Sequence, residues 1–529
     1  MTSKLILYAA LASVGMGSGL FAYQVRTEAG IVDGDASADG KIHIYKGIPY
    51  AAPPVGPLRW QPPQPAAHWD GIRKATEFGH RCMQGHIFAD MVFRDPGPSE
   101  DCLNLNVWTP AISPDAKLPV MVWIYGGGFQ AGASSEPRQG GENLARKGVI
   151  VVSMNYRLGI FGFFSHPELT KESPHHASGN YGLMDQAAAL DWVQRNIAAF
   201  GGDPGNITIF GESAGSMSVS AQMASPLAKR SFKQAIGESG AVFMLNPPMP
   251  PVRETEHIGL EFAKSIGANT LRELRSRSAD DLLQAALKMN GGFRFWPNVD
   301  GYFFPEDPAA IYSGGKQAHV ALLAGWNQDE QSYQGFLGKA DATPDAYAAQ
   351  VRSKYPEDAD QVLKIYPGKT GQEVKDSARA LASDQFIAYS TWKWLDLQVK
   401  TGQAPVYRYH FEQAPPASAT EPDRGAYHSA DILYVFQTLD SENRPWTDRD
   451  RKLSDMISSY WTNFAKTGNP NGPGMPEWPG YTKPAYDVMH LICGQGDQAP
   501  HAATDEHRAR YEFLDRVARE RASAAKQTS

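Results

Sequence analysis

One pentapeptide in the middle of the chain has the residue types to supply a nucleophile. In GESAG, Ser213 stands between Gly211 and Gly215, directly after the apolar run ITIF over 207–210. When the pattern G-x-S-x-G joins a strand to a helix, the turn is sharp and the serine oxygen is exposed. The pattern alone is common by chance, but the apolar run before it and the helix-compatible residues after it favour a nucleophile over an ordinary tight turn.

A serine hydroxyl is a weak nucleophile, so it needs a base and hydrogen-bond donors for the oxyanion that forms on a carbonyl. The stretch WIYGGGF places Gly126, Gly127 and Gly128 directly after a second apolar run. Glycines in that position form the oxyanion loop of some serine hydrolases. A flexible turn is the alternative, and the two flanking aromatic residues disfavour it. The chain has 14 histidines, and pattern alone does not single out the base.

Alternating strands and helices must hold these groups in place. Five apolar runs are typical of strands buried on both faces of a parallel sheet. They are PVMVWIY (119–125), GVIVVSMNY (148–156), NITIF (206–210), HVALLAG (319–325) and PVYRYHF (405–411). A helical pattern lies over 181–197, where apolar residues recur at spacings of three and four before Gly201 and Gly202. This alternation predicts an α/β fold.

Composition and motifs exclude several classes of function. The chain has 50 basic and 57 acidic residues, a net charge of −7, and no basic block, which argues against nucleic acid as a partner. There is no P-loop, no H-E-x-x-H, no paired C-x-x-C, and no G-x-G-x-x-G after a strand. We therefore predict no cofactor and no metal.

The N-terminus predicts export. Lys4 precedes an apolar run from Leu5 to Ala22, a pattern typical of a secretory signal. We predict a signal peptide over 1–22, with a cleavage site that the sequence does not fix, and a secreted or periplasmic protein free of the membrane after cleavage. An uncleaved anchor is the alternative, because the run is about long enough to span a bilayer. We assign 23–520 to a single catalytic domain and 521–529 to a disordered tail.

The three cysteines are Cys82, Cys102 and Cys493. In an exported chain, a Cys82–Cys102 disulfide would close a short loop and contribute about 3 kcal/mol in the chain-entropy account. Cys493 would then remain free. In a cytosolic chain all three thiols would stay reduced.

Taken together, the chain resembles type B carboxylesterases, the family that also contains cholinesterases. The matching stretches run through most of the chain: KGIPYAAPPVGPLRW (46–60), SEDCLNLNVW (99–108), VWIYGGGFQAG (122–132), NYRLGIFGF (155–163), GNYGLMDQ (179–186), FGGDPGNITIFGESAGSMS (200–218) and NPNGPGMPEWPGY (469–481). The resemblance implies an α/β-hydrolase fold, with a mostly parallel sheet flanked by helices and helical insertions around the site. It also implies a serine carboxylic-ester hydrolase that needs no cofactor.

The same resemblance implies a Ser-Glu-His triad. Ser213 is the nucleophile, Glu330 in WNQDEQS is the acid, and His428 in GAYHSAD is the base. Gln331 stands where the family often has glycine, so Asp329 is kept as the alternative acid.

Further roles follow from the resemblance. The backbone N–H groups of Gly127, Gly128 and Ala214 would form the oxyanion hole. Cys82 and Cys102 would form a family disulfide, and Glu100 would pair with Arg157 as a buried support.

The pocket is the part that the resemblance defines least. Glu212, next to the nucleophile, would shape the electrostatics of the site. Phe293 and Phe295 are candidates for an acyl-pocket wall, with core packing as the alternative. Val92 stands where cholinesterases place a tryptophan, which argues against choline esters. We expect a small-molecule ester substrate, with short or medium acyl chains or aryl esters.

Three rival readings remain open. A non-catalytic adhesion protein on the same fold is disfavoured because Ser213, Glu330 and His428 are all present. An amidase or a lipase would use the same triad. A membrane-anchored esterase would differ only in keeping residues 1–22. The sequence makes no prediction of the oligomeric state.

Overall fold

A mixed sheet of eleven strands runs through the part of the chain that this computed structural model describes, namely residues 23–243, 245, 249–289, 295–418, 424–482, 484–493 and 499–528. The predicted signal peptide over 1–22 lies outside these ranges, and so does Phe293. The described ranges also hold two small sheets, one of β1, β2 and β5 and one of β6 and β7. All the strands in these ranges, in chain order, are β1 Gln24–Arg26, β2 Ile31–Asp33, β3 Asp35–Ala36, β4 His43–Pro49, β5 Ile72–Lys74, β6 Arg81–Cys82, β7 Pro98–Ser99, β8 Asn104–Thr109, β9 Leu118–Ile124, β10 Ile150–Met154, β11 Gly202–Glu212, β12 Gln234–Glu238, β13 Ala321–Asn327, β14 Val406–Phe411, β15 Asp487–Leu491 and β16 His501–Thr504.

The strand order across the large sheet is β16-β15-β14-β13-β12-β11-β9-β10-β8-β4-β3. Neighbours from β15 through β10 are parallel. The two edges are antiparallel, with β16 on one side and β8, β4 and β3 on the other. The five apolar runs all lie in the parallel part, as β9, β10, β11, β13 and β14, so the predicted α/β fold is confirmed.

Helices connect the parallel strands. They are α1 Glu142–Ala145, α2 Gly159–Phe163, α3 Pro167–Glu172, α4 Tyr181–Asn196, α5 Ala214–Ala224, α6 Val252–Ser265, α7 Leu271–Ser276, α8 Ala279–Leu287, α9 Pro308–Ser313, α10 Gln334–Leu337, α11 Pro344–Lys354, α12 Ala359–Ile365, α13 Gly371–Ser383, α14 Tyr389–Thr401, α15 Asp431–Val435, α16 Asp448–Thr467 and α17 Arg508–Thr528. The helical pattern over 181–197 is α4, followed by a short 3-10 turn. None of the helices in the described ranges is long and apolar enough to cross a bilayer.

The C-terminal segment differs from the expectation of a disordered tail over 521–529. Helix α17 continues to Thr528. Its last turns, read from the sequence ERASAAKQT, are rich in alanine, the residue that loses least on entering a helix.

The core lies where helices cover both faces of the central strands. Residues Val120 to Ile124 of β9 are fully buried. The ring of Trp123 on this strand packs against Phe210 of β11 and against Phe436, with ring centroids 4.8 Å apart in each pair. Burial on both faces explains why these strands read as continuous apolar runs instead of alternating ones.

Two ion pairs replace the expected pair of Glu100 with Arg157, which is wrong. Glu100, which is half-buried, binds Arg59 at 2.6 Å, whereas Arg157 forms a bidentate pair with the buried Asp185 of α4 at 2.7 and 2.8 Å. A carboxylate within reach of each buried guanidinium offsets the cost of removing the guanidinium from water.

The disulfide between Cys82 and Cys102 is present. Cys493 is free and half-buried.

Candidate active site

Ser213 occupies the turn between β11 and α5. The strand ends at Glu212, the helix begins at Ala214, and Ser213 between them has φ of 55° and ψ of −122°. Positive φ is unfavourable for a residue with a side chain, and such strain concentrates at functional sites. The turn is held by the Ser213 N–H, which donates to the Glu238 carbonyl at 2.8 Å.

The two glycines around Ser213 are required by close backbone contacts. A Cβ on Gly215 would lie 2.0 Å from the carbonyl oxygen of Ile124, and a Cβ on Gly211 would lie 2.5 Å from the same oxygen. Both distances are far shorter than a carbon–oxygen contact. The first turn of α5 can therefore pass against the end of β9 only without side chains at these positions.

Three side chains that are distant in sequence meet at this turn. The Nε2 atom of His428 lies 2.9 Å from Ser213 Oγ, and its Nδ1 atom lies 2.5 Å from Glu330 Oε2. The other carboxylate oxygen of Glu330 accepts hydrogen bonds from Ser239 Oγ at 2.6 Å and from the Asn327 N–H at 2.7 Å. The geometry is that of a nucleophile, a base and an acid that orients the base. Ser239 and Asn327 carry no sequence pattern that predicts their part in it.

The neighbouring acid, Asp329, points elsewhere. Its carboxylate accepts a hydrogen bond from the Ala426 N–H at 2.9 Å and pairs with Arg379 at 3.1 Å. It therefore ties down the loop that carries His428, and it does not orient the imidazole. Gln331, which replaces a common glycine, donates its N–H to Ser383 Oγ at 3.1 Å, and this arrangement leaves Glu330 within reach of His428.

Glu212 adds a second carboxylate beside the imidazole. Its Oε1 atom lies 3.3 Å from His428 Nε2 and has no hydrogen bond to any described residue. Burial raises the pKa of Glu212 to about 8. Burial disfavours the charged imidazole, but Glu212 and Glu330 together outweigh it and raise the pKa of His428 to about 9. The negative charge of Glu212 and the positive charge of His428 stabilise each other.

The predicted oxyanion donors lie beside Ser213. Gly127 and Gly128 have φ of 103° and 61°, the left-handed region that suits glycine. A Cβ on Gly127 would lie 2.2 Å from the Ala131 carbonyl oxygen. Ala214 is the first residue of α5, where N–H groups have no partner within the helix. All three residues line the same cavity as Ser213.

That cavity has a volume of about 1580 Å³. Its wall combines aromatic and aliphatic side chains with a few charged ones. The apolar members are Phe88, Met91, Phe129, Met217, Val242, Met249, Ile258, Trp296, Phe386 and Ile432. A mostly apolar cavity with a small set of convergent polar groups is typical of a small-molecule site.

Two predicted wall residues lie elsewhere. Phe295 is 5% exposed and packs in the core against Phe164 and Phe262, whereas its neighbour Trp296 lines the cavity. Val92 is 61% exposed, and its neighbour Met91 lines the cavity. In both cases the residue that lines the cavity is adjacent in sequence to the predicted one. Glu212 does line the cavity.

The chain is similar to known esterases over most of its length. A family model described as "Carboxylesterase family" matches residues 22–508. The chain is 37% identical to the para-nitrobenzyl esterase of Bacillus subtilis (strain 168) over 486 residues, which cover 88% of this chain and 94% of the relative. It is 35% identical to the fumonisin B1 esterase of Sphingopyxis macrogoltabida over 479 residues, 86% of this chain and 84% of the relative. A solved structure of a PNB esterase superposes with a TM-score of 0.78 at 34% identity, covering 93% of this chain and 99% of that chain.

Proposed function

The chain belongs to the carboxylesterase family and is a carboxylic ester hydrolase, and we propose that it works through an acyl-enzyme formed on Ser213. One observation carries the proposal. The continuous hydrogen-bonded line from Ser213 Oγ through His428 to Glu330 Oε2 lies at the wall of the cavity that Gly127, Gly128 and Ala214 also line.

The proposed reaction has two halves. His428 Nε2 takes the hydroxyl proton as Ser213 Oγ attacks the ester carbonyl, and the oxyanion is held by the backbone N–H groups. The bond to the alcohol oxygen then breaks, and His428 returns the proton to the leaving alcohol. Water, deprotonated by His428 in the same way, releases the acid and restores Ser213. Glu330 fixes the ring and stabilises its charged form throughout.

The proposed substrates are esters with short or medium acyl chains, or aryl esters, because aromatic rings line the cavity next to the triad. Phe129 and Trp296 meet edge to face on its wall, with centroids 5.0 Å apart, and Phe386 lies edge-on to the His428 ring at 5.2 Å. These rings offer apolar contact area close to the reacting atoms. The similarity to a para-nitrobenzyl esterase and to a fumonisin B1 esterase is compatible with bulky or aromatic groups in the ester substrate.

The test is hydrolysis of p-nitrophenyl esters from acetate to laurate by the parent protein and by Ser213→Ala. Losing a triad nucleophile costs on the order of 10⁶ in kcat in a well-studied serine hydrolase. The matched control is Ser218→Ala, a buried serine on the same helix whose hydroxyl binds the Ala214 carbonyl at 2.8 Å. We expect Ser213→Ala to be inactive and Ser218→Ala to stay active. Equal inactivity of the parent and Ser213→Ala would favour an adhesion protein.

We also propose that the chain is exported and that residues 23–520 are its catalytic domain. The Cys82–Cys102 disulfide supports an oxidising compartment, where such bonds persist. N-terminal sequencing of protein from separated cell fractions tests this, because cleavage near residue 22 is expected. Recovery of the intact N-terminus in the membrane fraction would instead support an anchored esterase.

A further inference from the structure

A row of aromatic and imidazole rings crosses one edge of the sheet. Trp326, His410, His490 and His501 are successive register partners on β13, β14, β15 and β16. Partners in register project to the same face of a sheet, and so does a residue two positions along a strand. Glu412 follows His410 by two residues and therefore joins this face. Within the described ranges, none of these residues lines the cavity around Ser213.

Three ligand atoms converge in this row. His410 Nδ1 lies 2.8 Å from Glu412 Oε1, and His490 Nδ1 lies 2.5 Å from the same oxygen. All three atoms lie within 4.8 Å of one another. Two imidazole nitrogens and one carboxylate oxygen are a donor set that Zn²⁺ takes in proteins, often with water in the fourth position.

The geometry needs only a small adjustment to hold an ion. Tetrahedral Zn²⁺ with ligand bonds of about 2.0–2.1 Å places its ligand atoms about 3.3 Å apart. The two N–O distances would therefore open by less than about 1 Å, and the two Nδ1 atoms, which lie within 4.8 Å of each other, would settle at the same spacing of about 3.3 Å. The backbone positions are already fixed, because β14 and β15 are hydrogen-bonded neighbours with His410 opposite His490.

Solvent can reach the cluster. The side chains of His410, Glu412 and His490 are 16%, 19% and 25% exposed. The ring of His501 stacks on His490 with centroids 5.2 Å apart and lies on the exposed side. An ion can thus reach the three side chains from solvent without unfolding of the sheet.

We propose that His410, Glu412 and His490 form a Zn²⁺ site that clamps β14 to β15. This proposal departs from the sequence prediction of no metal, which rested on the absence of local zinc motifs and did not consider ligands brought together by strand register. Zn²⁺ would take the lone pair on Nδ1 of each imidazole, so the one proton of each neutral ring would stand on Nε2, and a doubly protonated ring would release one proton to solvent. Ester hydrolysis at Ser213 uses no step at this site. The rival is a metal-free network in which both imidazoles donate hydrogen bonds to Glu412.

The test is titration of the chelator-treated, dialysed full-length protein with Zn²⁺ by calorimetry and by competition with a zinc indicator. We expect one bound ion per chain in the parent. We expect the same stoichiometry in His428→Gln, a variant in which zinc can no longer bind to the imidazole of the proposed active site. His490→Gln and Glu412→Gln should each weaken binding by roughly tenfold or more. The control His319→Gln, an exposed histidine whose Nε2 faces the Gly315 carbonyl, should leave affinity unchanged.

Two readouts keep the test independent of folding. Retained p-nitrophenyl ester hydrolysis in His490→Gln and Glu412→Gln shows that the variants are folded. X-ray absorption at the zinc edge of the bound parent should show two imidazole ligands and N/O distances of about 2.0–2.1 Å. The proposal is overturned if the parent binds no stoichiometric ion, if a folded His490→Gln binds as tightly as the parent, or if the ion is lost in His428→Gln alone.

Discussion

The carboxylate of Glu212 lies 3.3 Å from Nε2 of His428, the same nitrogen that faces Ser213 Oγ at 2.9 Å. The base of the proposed triad is therefore in contact with a buried carboxylate on its reactive side as well as with Glu330 on its other side. A charged Glu212 stabilises the protonated imidazole and so raises the pKa of His428. A protonated Glu212 has no charge and does not raise it. The proton-accepting capacity of His428 depends on both carboxylates.

This contact predicts an alkaline rise in activity that Glu212→Gln shifts. A base must be neutral, so kcat/KM should increase with pH as His428, with a pKa of about 9, loses its proton. Removing the negative charge of Glu212 lowers the pKa of His428, and we expect the acid limb to move to lower pH by about 1 unit or more. The measurement is kcat/KM for a p-nitrophenyl ester from pH 5 to 10. An identical apparent pKa in the parent and in Glu212→Gln would show that Glu212 does not raise the pKa of His428.

The identity of the acid is tested by comparing two adjacent positions. Glu330→Gln keeps an oxygen that can accept from Ser239 and Asn327 but removes the charge beside His428. We expect kcat to fall by about 10³–10⁴, the scale seen when the acid of a serine triad is made an amide. Asp329→Asn is the matched control, and it should lower kcat by less than about tenfold because Asp329 only supports the loop. A larger loss in Asp329→Asn than in Glu330→Gln would assign the acid to Asp329.

The close approach of α5 to β9 predicts that Gly215→Ala destabilises the protein. Its methyl group would lie 2.0 Å from the Ile124 carbonyl, so the backbone would have to move. We expect the free energy of unfolding to fall by about 3 kcal/mol or more, measured by denaturant titration. In Gly480→Ala the new Cβ would meet nothing nearer than 3.8 Å, and stability should stay within about 0.5 kcal/mol. Similar stability of the two variants would contradict the close contact between Gly215 and the Ile124 carbonyl.

The cavity wall predicts a change of acyl-chain preference in Trp296→Ala. Removing this indole enlarges the cavity, so the ratio of octanoate to acetate kcat/KM should rise. Phe295→Leu changes a side chain packed on Phe164 and Phe262 in the core, and it should lower stability while leaving the ratio near that of the parent. If Phe295→Leu changed the ratio and Trp296→Ala did not, Phe295 and not Trp296 would form the cavity wall.

Five of the seven strands in the parallel part of the sheet could be predicted from sequence because they are buried on both faces. The antiparallel edge strands and β15 were not predicted. β12 was also missed, since QAIGE begins and ends with polar residues. Those residues are buried with polar neighbours: Glu238, for example, accepts a hydrogen bond from the Trp461 indole at 2.7 Å. A pattern of apolar residues cannot find a strand whose buried polar groups are satisfied by distant partners.

The candidate site divides in the same way. The turn at Ser213 is local, so GESAG and the strand before it predict it. Glu330 and His428 are 98 residues apart, and only the resemblance to a family brought them together. The choice between Phe295 and Trp296 depends on which of two adjacent side chains faces the cavity, and one sequence does not set that. The row of His410, Glu412 and His490 depends on the register between β14 and β15, which one sequence does not predict either.

The central claim is that Ser213 is the nucleophile, and active-site labelling tests it most directly. The parent protein is treated with a fluorophosphonate, which reacts covalently with activated serines, and the adduct is mapped by peptide mass spectrometry while residual ester hydrolysis is measured. We predict one adduct per chain on Ser213, loss of hydrolysis in proportion to labelling, no adduct in Ser213→Ala, and slow labelling in His428→Gln. An adduct on another residue, or hydrolysis that persists after Ser213 is fully labelled, would contradict the account.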